Sequence, residues 1–123
     1  MFSRQLGVML YVDDVNKEKA FWQSIGFTIL NECQVMDYDQ FEMKPTPESD
    51  VLFTIYDKAF IRQVSPEVVD FMPSILFETD TIYELQEKVA SVTSTASAVN
   101  KEPFLNFNFR SPSGHFYAVK GNE

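Results

Sequence analysis

Residues 6–27, LGVMLYVDDVNKEKAFWQSIGF, decide how the rest of the chain is read. The run 6–12 is compact, apolar and stopped by Asp13-Asp14. That length and flank suit a strand, with Val8, Leu10 and Val12 on one face and Gly7, Met9 and Tyr11 on the other. Asp13 or Asp14 then caps a helix, because a short carboxylate accepts from the free N–H groups of a first turn. The helix is expected over 15–25, with Gly26 where a left-handed residue usually ends one. Val15, Ala20, Phe21, Trp22 and Ile25 form its apolar side; Lys17, Glu18 and Lys19 form its wet one.

Outward from this stretch, strands are expected over 27–33, 38–44 and 51–56. The loop 45–50 carries two prolines, which cannot sit inside a central strand. Residues 58–72 read as a connector, with Ser65-Pro66-Glu67 a turn or short helical start. Then the opening pattern returns. In SILFET, 74–79, Ile75 and Phe77 take the places of Val8 and Leu10, and Asp80 stands where Asp13 stood. Thr81-Ile82-Tyr83-Glu84 has the form of a capping box ahead of a helix over 82–92, with Leu85 and Val89 on one face. Strands near 95–99, 104–110 and 115–120 complete the second half, and Ser111-Pro112-Ser113-Gly114 turns between the last two. Aligning Gly7 with Ser74 makes the chain a repeat of pattern, two copies of strand, helix and three strands. The expected class is α+β, with about eight strands and two main helices.

The 123 residues make one domain, divided as module 1 at about 1–57, a connector at 58–72 and module 2 at about 73–123. At 45% hydrophobic and 23% charged the composition is globular, and a domain of this size needs no disulfide or metal staple. Eighteen acidic residues against ten basic give −8, which argues against nucleic acid and anionic membrane as partners. The single cysteine, Cys33, makes no internal bridge, so the cytoplasm is the expected compartment. Cys33 itself reads as an inert buried thiol. No leader is visible, and no apolar run is long enough to span a bilayer. Twelve phenylalanines point to a large aromatic core or an aromatic-lined pocket.

The stretch DVNKEKAFWQSIGF, 14–27, resembles the strand exit, helix and Gly-Phe exit of the vicinal oxygen chelate superfamily. That superfamily includes glyoxalase I, extradiol dioxygenases, fosfomycin resistance enzymes and bleomycin resistance proteins. SPSGHFYAV, 111–119, resembles the Asp-Pro-Asp-Gly turn and last strand of the same family. The resemblance covers essentially the whole chain. It implies two βαβββ modules forming a curled mixed sheet around a shared cleft, with helices outside, and homodimers in which modules complete one another. In metal-dependent members the ligands come from the first and last strands of each module. The matching positions here are Gly7, Ser74, Ala118 and Thr54, and none offers a strong donor for a divalent cation. The lone His115 lies just after a turn, three residues from the expected ligand position. The resemblance therefore leads to the metal-free branch, with no cofactor, no metal ligand and no catalytic residue.

Strand alternation nominates the residues that face the cleft: Met9, Tyr11, Leu52, Thr54 and Tyr56 from the first half, and Ser74, Leu76, Glu78, Phe116, Ala118 and Lys120 from the second. In 104–110, Asn106, Asn108 and Arg110 form the wetter side against Leu105, Phe107 and Phe109. The candidate ligand-binding set is Met9, Tyr11, Thr54, Tyr56, Ser74, Glu78, Asn106, Asn108 and Phe116, a mixture typical of small-molecule pockets. Aliphatic and aromatic strand residues such as Met9, Leu52, Leu76 and Phe116 read first as core. Glu78 is either a base in an apolar cleft or a solvated strand-end charge. Arg110 and Lys120 either hold an anion or are ordinary surface charge. Trp22 reads as helix packing or a subunit contact. The stretch 32–50, with six carboxylates and one lysine, either draws a cationic ligand or forms a solvated hairpin. The function expected first is metal-free binding of an aromatic or cationic small molecule, leaning away from an enzyme. The alternatives are a metal-dependent lyase or dioxygenase with unorthodox ligands such as Glu78 and His115, and a protein-interaction module with an occluded cleft.

Overall fold

The opening strand and helix form where the sequence places them. In the computed structural model, which describes residues 1–123, β1 spans Leu6–Val12 and α1 spans Val15–Ser24. Asp14 is the cap: its Oδ1 accepts from the Lys17 N–H at 3.1 Å. Gly26 takes φ +105° beyond the helix, a conformation that costs glycine nothing. The chain divides into two compact units, Met1–Met72 and Pro73–Glu123.

In the first unit β2 (Thr28–Val35), β3 (Tyr38–Lys44) and β4 (Val51–Asp57) follow, and the sheet order is β1-β4-β3-β2. β1 runs parallel to β4, and β4 and β2 run antiparallel to β3. Period-2 alternation sends Leu10, Val12, Phe41, Met43, Phe53 and Ile55 to one face, all of them buried. On α1, Val15, Phe21 and Trp22 are buried as well, and the Trp22, Phe27 and Phe53 rings meet edge-on in sequence. Each such side chain removed from water contributes about 1.5–3 kcal/mol.

The helix departs from expectation at two positions. Ala20 is exposed, while Glu18, expected on the wet side, is fully buried and accepts from the Trp22 indole N–H at 2.9 Å. The helical spacing explains it: residues four apart share a face, so Glu18 follows Trp22 inward. β2 and β3 join through a two-residue turn in which Met36 and Asp37 both have positive φ, 51° and 69°, the geometry of a type I′ hairpin turn.

The expected connector folds as part of this unit. Asp57 caps α2 (Lys58–Val64) by accepting from the Ala59 N–H at 2.8 Å. A 3-10 turn over Pro66–Val68 follows, with the proline at its start. Ile61 and Val69 from this segment bury Tyr11, with Tyr56, Phe60 and Val68 packed around them.

The second unit contains β5 (Leu76–Thr79), α3 (Ile82–Ala90), β6 (Asn106–Arg110) and β7 (Phe116–Gly121). Its sheet order is β5-β7-β6, with β5 parallel and β6 antiparallel to β7. Phe107, Phe109, Tyr117 and Val119 are buried on one face, and a ladder of rings runs Phe77–Tyr117–Phe109–Phe107 at 5.5–6.2 Å. Ile82 and Val89 are the buried residues of α3. A side chain at Gly121 would meet Ile82 at 3.1 Å, so glycine lets the helix start approach the strand.

Two expectations fail in this unit. Residues 95–99 form no strand, so seven strands are present rather than eight. The segment still runs beside β6, but hydroxyls replace part of the ladder. The Arg110 N–H donates to Thr95 Oγ1 at 2.8 Å and the Asn108 N–H to Ser97 Oγ at 3.1 Å. A backbone bridge joins Asn100 and Asn106. The capping box also fails to form. Thr81 Oγ1 lies against Thr79 Oγ1 at 3.4 Å and makes no cap, the Thr81 N–H donates to Thr79 Oγ1 at 3.1 Å, and the Ile82 N–H donates to Glu123 Oε1 at 2.9 Å.

Candidate functional site

Each sheet has a face turned away from its long helix, α1 or α3, and the nominated residues fall on those two faces. On the first sheet the open face is built in rows: Gly7 beside Leu52; Met9 beside Thr54 and Glu42; Tyr11 beside Tyr56, Gln40 and Cys33. Met9 is 56% exposed, and Thr54 and Glu42 are half-buried. The Asn31 amide donates to Glu42 Oε1 at 2.6 Å. One end of the face is covered by α2, which makes an aromatic shelf. Tyr56 stacks on Phe60 at 6.1 Å with ring planes 22° apart, and Tyr38 lies 6.0 Å from Phe60. Gln63 Nε2 donates to the Tyr38 hydroxyl at 2.9 Å. Tyr11, 6.2 Å from Tyr56, lies under the shelf and is only 8% exposed. Burial raises the Tyr56 phenol above its ordinary 10.0, helped by Tyr11, Glu42 and Cys33, so it remains a neutral donor at physiological pH. Cys33, expected buried, is exposed. Its strand is the sheet edge and its side chain follows Gln40 to the uncovered face.

On the second sheet the open face carries Glu78 beside Lys120 and Asn106, Leu76 beside Ala118 and Asn108, and Phe116 beside Arg110. Asn106 is tied locally, donating to the Phe104 carbonyl at 2.6 Å and to that of Glu102 at 3.3 Å. Arg110 lies over the Phe116 ring at 4.1 Å and Lys120 over Phe104 at 5.6 Å. A depression of about 220 Å³ is lined by Ser74, Ile75, Asn108, Phe116, Tyr117 and Ala118. Met9, Tyr11, Thr54 and Tyr56 thus share the first sheet's open face. Glu78, Asn106, Asn108 and Phe116 share the second's, with Ser74 at its depression. Sequence reasoning left Tyr38, Glu42 and Phe60 out of the site. Alternation in 38–44 carried the signal for the first two, since Tyr38, Gln40 and Glu42 oppose Phe41 and Met43. For Phe60 there was none.

The residues present do not suit a divalent cation. Gly7 is open, with only the Leu52 carbonyl 4.0 Å from where a Cβ would stand, but it supplies no donor atom. Thr54 offers a hydroxyl beside the Met9 side chain, and Ala118 a methyl beside Leu76. No group of three or more His, Cys, Asp and Glu side chains comes together. Glu78 stands opposite Lys120 in the register, and His115 lies five residues before Lys120, just ahead of β7. At about 3.3 Å per residue the two are roughly 16 Å apart, too far to share an ion.

Solved structures share this architecture along the whole chain. An antibiotic binding protein from a Streptomyces species, TnmS3, superposes with a TM-score of 0.76 at 15% identity, covering 99% of this chain and 98% of its own. The fosfomycin resistance protein FosX from Listeria monocytogenes gives 0.71 at 14%, covering 100% and 96%. Lactoylglutathione lyase from Agrobacterium tumefaciens gives 0.73 at 14%, covering 99% and 96%. The fold is that of the vicinal oxygen chelate proteins. No family model and no curated protein matches the sequence. Identities this low carry the fold and not the chemistry, so the vicinal oxygen chelate fold is shared here by proteins described as a binder, a resistance protein and a lyase.

Proposed function

We propose that this protein is a metal-free binder that holds an aromatic or cationic small molecule on the open faces of its sheets. The observation that carries the reading is on the first sheet. The shelf of Tyr56, Phe60 and Tyr38 lies on the same face as Glu42, while Gly7 and Thr54 on that face supply no strong metal donor. Ring faces and a nearby carboxylate attract a cation, and flat rings stack on flat ligands. The antibiotic binding protein among the structural neighbours supports the same reading. In this proposal the protein works in the cytoplasm as a homodimer, with neither nucleic acid nor membrane as partner; the net charge of −8 supports the choice of partners and the free Cys33 the compartment.

The test is a thermal titration of metal-stripped protein with benzyltrimethylammonium, and separately with Mn²⁺, Ni²⁺ and Zn²⁺. A ligand at a hundred times its dissociation constant adds about 2.7 kcal/mol. The organic cation is expected to raise Tm and to lose its effect in Tyr56→Ala. A rise with a metal alone overturns the proposal.

A further inference from the structure

We infer that the depression beside Ala118 on the second sheet takes the carboxylate of a small organic acid, with Arg110 as its cation. The inference rests on the reading of the open faces as ligand surfaces, and adds the charge and shape of one bound group.

Three features of the second sheet converge on it. The first is Arg110. Its guanidinium carbon lies 4.1 Å from the centroid of the Phe116 ring, and it takes part in none of the ion pairs of the chain. The ring contact locates the guanidinium beside Phe116, and N–H groups that take part in no ion pair of the chain are able to form a two-pronged pair with two carboxylate oxygens. The second is the register. Arg110 pairs with Phe116 and Asn108 with Ala118, so arginine and asparagine stand two residues apart on one face of β6, above a residue with only a methyl group. That methyl opens the depression. The third is the lining. Asn108 contributes a side-chain amide that bonds nothing in the chain, in contrast to Asn106, which is held by the carbonyls of residues 102 and 104. Ser74 adds a hydroxyl, Ile75 and Phe116 add apolar walls, and no carboxylate lines the space. Donors without acceptors of negative charge, next to a stacked arginine, select an anion.

Size narrows the ligand class. About 220 Å³ is below the range that encloses a drug-sized molecule, so the depression receives one functional group and a short flat stem. Benzoate has that form, and benzamide has the same outline without the charge.

The test follows backbone and arginine side-chain amide resonances while benzoate is titrated into the full chain. Saturable shifts are expected at Asn108, Ala118 and the Arg110 Nε–H. Arg110→Gln is expected to weaken binding by about tenfold or more, with Arg110→Lys intermediate because it keeps the charge and loses the fork. Ala118→Leu fills the depression and is expected to abolish binding. Benzamide binding as tightly as benzoate, unchanged affinity in Arg110→Gln, or shifts confined to other residues each overturn the inference. Benzyltrimethylammonium separates it from the function proposed above. Response to the cation with none to benzoate removes only the carboxylate site, and the reverse leaves that site while removing the cation reading. Arg110 is exposed, so its variants report on binding without disturbing the core.

Discussion

Replacing Glu18 by leucine should destabilise the protein by about 1–3 kcal/mol, the usual penalty for a buried donor that loses its acceptor. The carboxylate and the indole N–H it accepts from are 2.9 Å apart, and both side chains are 0% exposed. Water therefore has no route to replace the lost partner. Glu18→Gln keeps an oxygen acceptor at the same place and should cost much less. Unfolding entropy of about 2.1 cal/mol/K per residue gives roughly 0.26 kcal/mol/K over 123 residues. A loss of 2 kcal/mol then lowers Tm by about 8 °C. Urea unfolding followed by far-ultraviolet circular dichroism gives the free energies of the single variants, of Trp22→Phe and of the pair. The cycle should return a coupling of about 1–2 kcal/mol between the two positions. Coupling below about 0.3 kcal/mol, or a glutamine variant as unstable as the leucine one, would refute the assignment of that hydrogen bond as the reason Glu18 is buried.

The Tyr56 phenol is held above 10.0 in the folded protein, so it stabilises the fold fully below pH 10 and loses that contribution as pH rises through the folded value. Tyr56→Phe should therefore flatten the alkaline fall in stability above pH 10, measured as urea midpoints across that range. At the β2–β3 turn, Asp37 has φ 69°, and Asp37→Gly should raise stability by about 1 kcal/mol through relief of the left-handed strain. An unchanged or lower urea midpoint would count against the turn assignment.

The sequence disclosed the fold where local signals agreed with tertiary ones. The run 6–12, the Asp14 cap and Gly26 fixed the first strand and helix, and alternation in 104–110 separated Phe107 and Phe109 from Asn106, Asn108 and Arg110 correctly. It misled where a polar residue meets a long-range partner. Glu18 looked solvated because nothing in the local pattern shows that Trp22 needs an acceptor. Thr81 looked like a cap because the box spacing does not reveal that the Thr79 hydroxyl takes the Thr81 N–H that Glu84 would have accepted. The shelf was hidden for a similar reason: Phe60 belongs to a segment read as a connector, and only its folding as α2 brings it onto Tyr56. The depression on the second sheet was half legible, since Ala118 and Asn108 were nominated, but a cation stacked on a ring has no signature in sequence.

The hydroxyl contacts of Thr95 and Ser97 with β6 have a consequence for how the molecule meets copies of itself. An outer strand with bare N–H groups is a template for another chain, and bare edges are where folded proteins begin to aggregate. Here the N–H groups of Asn108 and Arg110 are occupied by side chains of the same chain, although the segment supplying them never becomes a strand. The covering segment thus blunts this edge of the second sheet while offering no regular ladder of its own for a further strand to join.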